Sequence, residues 1–281
     1  HGVNYYDGQG FMVKKSLGVN SASELDGASV CIQTGTTTEL NLADYFSSNG
    51  MKYEPVTIET NDEARQNYES GRCDVYTTDA SGLASTRSAL PNPGDHMVLP
   101  EIISKEPLGP ATRHGDDQWS DIVTWVLNAT ITAEELGVTM ANVDQMKSSN
   151  NPEVLRLLGV DGSQGQELGL SNDWAYQIIK QVGNYGEIFE RNIGVDTPLG
   201  IARGLNALWT EGGLIYSPPF RESTGCFCHC SNFTRDPLGS LVYRRFKSAV
   251  KPAEDRIYKW HHPTPLRTYF HYSGAIKSPE G

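Results

Sequence analysis

Between residues 21 and 100, short β-rich runs alternate with runs of helical period, and this limits the fold more than any other feature of the chain. Residues 28–33 are β-rich and end in the polar turn Thr34-Gly35-Thr36-Thr37-Thr38. A helix fits 39–48, with Leu40, Ala43 and Phe46 on one face and Asn49-Gly50 as its stop. A strand at 53–58 follows, and Asn61 caps a helix running to Gly71. Next come a strand at 73–77 and a helix from about Ser81, closed by Pro91-Asn92-Pro93-Gly94. Strands alternating with helices of about ten residues imply βαβ units and a mainly parallel sheet.

After Pro100 the pattern changes. Residues 101–112 are extended, since Pro107 and Pro110 exclude a helix interior. Asp116 or Asp117 then caps a helix whose Trp119, Ile122, Val123, Val126 and Leu127 recur at i, i+3, i+4, i+7 and i+8. Helical patterns return at 151–158, 173–191 and 199–209. An α/β unit followed by helices, with one extended segment between them, suggests two lobes. The 34 acidic residues outnumber the 23 basic ones, for a formal charge of −11. That balance argues against nucleic acid or an anionic membrane as the main partner. No apolar run approaches the length of a transmembrane helix. No signal peptide is visible, and a start at His1-Gly2-Val3 points to a processed or truncated chain. Charge shifts near Arg221: the remaining 60 residues carry nine Lys/Arg against five Asp/Glu, with three of the five cysteines.

Two segments carry chemistry. A strand entering Thr34-Gly35-Thr36-Thr37 and then a helix presents N–H groups and hydroxyls at a helix N-terminus, which suits a carboxylate or phosphate. An ordinary capping turn is the plainer reading, and the Gly-Lys-Ser/Thr element of a P-loop is missing. In Asp74-Val75-Tyr76-Thr77-Thr78-Asp79 the strand delivers Asp79 to the sheet edge, where open α/β folds bind ligands. An ionised Asp79 suits an ammonium group, and its plainer role is to cap the next helix. Together the two segments offer what a zwitterionic amino acid requires.

The run GVNYYDGQGF (Gly2 to Phe11) closely resembles general L-amino-acid-binding proteins of polar amino-acid ABC importers. So do QTGTTTE (Gln33 to Glu39), IISKEPLGP (Ile102 to Pro110), DWAYQIIKQVGNYGEIFERN from Asp173, and the stretch from Gly212 to Arg221. The resemblance covers 2–221 almost continuously. It implies an α/β, type II periplasmic-binding-protein fold of two lobes joined by a hinge, with the first lobe incomplete. By that likeness Thr36 and Thr37 hold the ligand α-carboxylate and Asp79 its ammonium, and Gly35 and Gln9 belong to the same ligand-binding set. Residues 1–15 would be the first hinge crossing and a remnant of lobe 1, 16–106 the complete lobe 2, and 107–221 the return hinge and helical part of lobe 1. The partners implied are a free L-amino acid, polar or acidic such as glutamate, glutamine or aspartate, and a membrane permease with its ATPase. The location implied is the periplasm, the chain a monomer, with no cofactor and no metal.

The sequence departs from that family at both ends. Members begin with a signal peptide and about half of lobe 1, including an arginine that clamps the carboxylate, and no arginine in 1–221 sits in a matching motif. Loss of one partner of a buried charge pair costs about 2–5 kcal/mol. Missing strands would also leave apolar surface on 108–221 uncovered. Beyond Arg221 the resemblance stops, and the tail 222–281 is expected to be a disordered appendage or a read-through product. Its Cys226-Phe227-Cys228-His229-Cys230 crowds its ligands without the second pair that zinc sites use. Cys31 and Cys73 would lie on neighbouring strands, as a disulfide in an oxidising periplasm or as two buried thiols. The competing class is an enzyme on the same fold, a cyclohexadienyl-type dehydratase. Its acid or base would come from Glu39, Asp79 or Glu106, but Glu39 reads better as helix N-terminal charge. With His96 and His114 the only interior histidines, no nucleophile–histidine grouping forms, and the expectation is a binding protein rather than an enzyme.

Overall fold

Alternation along three strands decides how the sheet is covered. The computed structural model describes residues 1–221. In chain order it opens with β1 (Tyr5–Asp7), β2 (Gln9–Lys14), β3 (Ser29–Gln33), α1 (Thr37–Ser48), β4 (Glu54–Ile58), α2 (Asn61–Glu69), β5 (Val75–Asp79), α3 (Ala80–Ala89) and β6 (His96–Val98). Successive residues of a strand point to opposite faces. Phe11, Val13, Val30, Ile32 and Val75 therefore share one buried cluster with Leu42 and Phe46 of α1. Met12, Cys31 and Tyr76, one position out of phase, meet Tyr68 of α2 and Leu83 of α3 on the other face.

The five strands run in the order β4-β3-β5-β2-β6. β3 pairs in parallel with β4 and β5, as βαβ units require. β2 pairs antiparallel with both β5 and β6, so the sheet is mixed rather than mainly parallel. The reason is that β2 enters from outside the βαβ series. Element ends also shift from the sequence expectation. Thr36 N-caps α1, so the helix starts two residues earlier than its apolar pattern. Thr60, not Asn61, caps α2, and Cys73 lies just ahead of β5 rather than within it.

Beyond the sheet, β7 (Glu106–Leu108) pairs antiparallel with β1, Asp7 opposite Glu106 and Tyr5 opposite Leu108. The helical portion follows as α4 (Asp117–Glu135), α5 (Val143–Met146), α6 (Pro152–Leu157), α7 (Gln164–Glu167), α8 (Trp174–Val182) and α9 (Tyr185–Asn192). Ala129, Ala133, Leu157, Trp174, Ile179 and Phe220 form its core. The single helix expected over 173–191 is two, because Gly183 adopts φ 84° and Asn184 opens a capping box with Glu187. No α-helix forms over 199–209. Gly200 and Gly204 take positive φ, and only 3₁₀ turns at Gly204–Asn206 and Trp209–Glu211 remain. Asn206 is instead committed to β1, accepting from Tyr6 N at 2.7 Å and donating to Tyr6 O at 3.0 Å. The apolar surface expected on 108–221 is present as an open groove of about 500 Å³ between β1, α4, α8 and α9. Trp119 and Val182 on its walls are 53% and 42% exposed.

Far from the site described below, Tyr68 and His96 form a buried pair, with Oη and Nδ1 2.8 Å apart. Burial raises the Tyr68 pKa, so its hydroxyl stays protonated. Burial first, then the charge of Lys14, lowers the His96 pKa below its usual 6.5. A base depressed in the fold contributes stability that is full above 6.5 and is lost as pH falls through the lower folded value. Acid titration of thermal stability is therefore expected to show a loss beginning below about pH 6.5 that His96→Gln flattens. Equal slopes in the two proteins over pH 5–7 would exclude the pair as the cause.

Candidate functional site

The C-terminal ends of β3 and β5 and the N-terminal end of β2 lie at one sheet edge, because β2 runs antiparallel to β5. At that edge β3 leads through the turn into α1. Gly35 takes φ 71°, the left-handed turn residue that lets the chain swing into the helix. Thr36 Oγ1 donates to Gln33 O at 2.8 Å and accepts from Glu39 N at 3.4 Å. Thr37 is the exposed first residue of α1, where helix geometry gives its N–H no intrahelical acceptor. Glu39 folds back so that its carboxylate accepts from Gly35 N at 2.9 Å. A carboxylate thus already uses part of this N-terminus, in keeping with the reading of Glu39 as helix N-terminal charge.

Asp79 ends β5 on the same face as Thr77 and opposite Gln9 in register. It holds the N-cap position of α3, where its plainer role would put it, but its side chain makes no capping hydrogen bond. Two further carboxylates stand near it. Asp7 accepts from Gly8 N at 2.8 Å and from the Ser81 hydroxyl. Glu106 accepts from Ser104 Oγ at 2.8 Å. Burial, then the charges of Asp7 and Glu106, push the Asp79 carboxyl from 3.8 up to about 6. Among the described residues no Lys, Arg or His forms an ion pair with any of the three. Their combined field favours a cation, and the helix terminus of α1 favours an anion.

The structure therefore brings Gly35, Thr36, Thr37 and Asp79 to one edge, with Gln9 fully buried between β5 and α1. Cys31 and Cys73 are joined as a disulfide, with Cα atoms 5.6 Å apart. Asp7 was not legible as part of the site, because Asp-Gly reads as a turn and only the pairing of β1 with β7 sets it beside Glu106. Among the described residues no cluster of three or more His, Cys, Asp or Glu could hold a metal. The Cys226-Phe227-Cys228-His229-Cys230 run and the expectations for 222–281 lie outside the described residues.

No family model matches the chain. A solved structure, an ABC transporter periplasmic binding protein from Brucella ovis with glutathione bound, is 59% identical with a TM-score of 0.75. It covers 78% of this chain, and this chain covers 70% of it. The chain belongs to the periplasmic binding proteins of ABC transporters. The fold is accordingly the type II fold of that family. The general L-amino acid-binding periplasmic protein AapJ of Rhizobium johnstonii is 64% identical over 221 residues. The glutamate/glutamine/aspartate/asparagine-binding protein BztA of Rhodobacter capsulatus is 61% identical over 220. Each match covers 78% of this binding protein and 65% of the relative's length. No described helix is long and apolar enough to cross a membrane.

Proposed function

We propose that this binding protein captures a free L-amino acid, polar or acidic, in the periplasm and presents it to a membrane permease served by an ATPase. It acts as a monomer and carries out no chemistry on its ligand. One observation carries the reading: Asp79, a carboxylate without a hydrogen-bond donor among the described residues, shares a sheet edge with the N-terminus of α1. The ligand ammonium is held by Asp79 and drawn in by the charges of Asp7 and Glu106. The ligand carboxylate is held by Thr36 and Thr37, and Gly35, whose N–H serves Glu39, shapes the turn that presents them. Residues 16–106 are one lobe, 107–221 belong to the other, and the β1–β7 pair is the hinge that closes them.

A second ligand is favoured by the glutathione in the Brucella ovis relative. Its γ-glutamyl residue carries a free ammonium and carboxylate on one carbon, so it offers the same head group. Both ligands are tested by following the amide spectrum of the isotopically labelled chain during titration. L-Glutamate, L-glutamine and glutathione are each expected to give saturable shifts at Gly35, Thr36, Thr37 and Asp79 that vanish in Asp79→Ala. The method reads dissociation constants into the millimolar range, about 4 kcal/mol of binding, so a weakened site is still visible. Flat spectra, or shifts that survive Asp79→Ala, would remove the reading.

A further inference from the structure

The side chain of Gln9 is fully buried, and its amide has one possible orientation. Thr77 Oγ1 gives its single proton to Gly10 O at 2.8 Å, so toward Gln9 it only accepts. Thr38 O has no proton to give. Both therefore accept from Gln9 Nε2, each at 3.0 Å. The amide oxygen faces the other way, buried and without a partner among the described residues. Burying an unmatched acceptor is unfavourable.

Packing alone does not require that arrangement. Thr38 lies in the first turn of α1, so its carbonyl also receives the N–H of Leu42 in the helix ladder. Thr77 keeps its bond to Gly10 O whatever stands at position 9. A methionine there would fill similar volume, strand no partner and remove the orphan oxygen. What the glutamine alone supplies is a tie between two elements, α1 at Thr38 and β5 at Thr77, two residues before Asp79. These are the elements that carry the two halves of the site. The backbone of Gln9 is pinned as well, its N–H donating to Ser104 Oγ at 3.0 Å and its carbonyl accepting from Ile103 N at 2.9 Å.

We propose that Gln9 is a positioning residue that sets the separation between the Thr36-Thr37 turn and the Asp79 carboxylate. It thereby selects ligands whose ammonium and carboxylate sit on the same carbon. The proposal rests on the amino-acid reading above. Gln9 acts through Thr38 and Thr77 and does not touch the ligand, since its amide is out of reach of solvent.

The test compares the native chain with Gln9→Met by three readouts. The melting temperature is expected to be unchanged or higher, because an orphan oxygen is lost and no new one is made. The preference for L-glutamate over 3-aminoglutarate, whose ammonium is β to both carboxylates rather than α to one, is expected to shrink about tenfold. Without ligand, amide exchange at Thr36, Thr37 and Thr38 is expected to quicken while the rest of α1 is unmoved. A fall in melting temperature with an unchanged ligand preference would make Gln9 merely structural and overturn the proposal. If the native chain binds neither ligand, the amino-acid reading fails on its own, and the exchange decides about Gln9. Unchanged exchange at the three threonines overturns its positioning role, and local quickening sustains it.

Discussion

Asp79→Asn is expected to abolish amino-acid binding and, above pH 7, to raise the melting temperature by about 3–6 °C. Both effects come from one cause. The Asp79 carboxyl is raised in the fold from 3.8 to about 6 by burial and by Asp7 and Glu106. A raised pKa means that the folded state favours the protonated form. The stability this contributes is complete below pH 3.8 and is lost as pH rises through about 6. Above that pH the folded chain carries an ionised group that its surroundings resist. A shift of that size corresponds to at most about 3 kcal/mol. Asp79 is only partly buried, so solvent screening reduces the cost to about 1–2 kcal/mol. Asparagine keeps the shape and removes the charge. The gain of Asp79→Asn over the native chain should thus appear between pH 4 and 7 and vanish at pH 4. Melting curves across that range decide the matter, and a gain that does not change with pH would detach Asp79 from the acidic cluster. The native site shows the same linkage, since ammonium binds the ionised form. Affinity for L-glutamate is expected to fall about tenfold from pH 7.5 to 5.

The relation of sequence to structure is uneven along the chain, for physical reasons. The sheet and its helices were legible because each strand is short, β-rich and followed by a capped helix, and those signals are local. The parallel pairings of β3 follow from that pattern. The antiparallel seating of β2 does not, because its direction is set by a chain entry that no local signal records. Gly35, Thr36 and Thr37 could be singled out because a turn at a helix start exposes donors wherever it occurs. Asp79 could be singled out because it ends a strand. Its raised pKa depends on burial and then on Asp7 and Glu106, which are distant in sequence and meet through β1 and β7. The break at Gly183 and the irregular course of 199–206 escaped the helical periodicity. There a glycine at positive φ and the paired bonds of Asn206 to Tyr6 outweigh the apolar spacing.

Cys31→Ala/Cys73→Ala is expected to lower the melting temperature by about 8–16 °C, the largest change foreseen for any substitution away from the site. The two cysteines are 42 residues apart, and closing a loop of that length contributes about 4 kcal/mol on the chain-entropy account. The loop holds the C-terminal part of β3, all of α1, β4 and α2, and with them Gly35, Thr36 and Thr37. Cys31 and Cys73 are both buried, among Met12, Tyr68, Tyr76 and Leu83 on the sheet face away from α1. Alanine at both positions leaves no polar group unpaired, so the loss isolates the cross-link and a small cavity. Serine would bury two hydroxyls and confound the measurement. Because the pair lies on the opposite face from Gln9, Thr77 and Asp79, ligand-induced shifts at 10 °C should persist in the double variant. Melting with and without reductant checks the assignment: the native chain should fall toward the double variant, and the double variant should not respond. A difference of less than about 2 °C between the two oxidised proteins would mean that the cross-link contributes little, and the two positions would then act as buried small side chains.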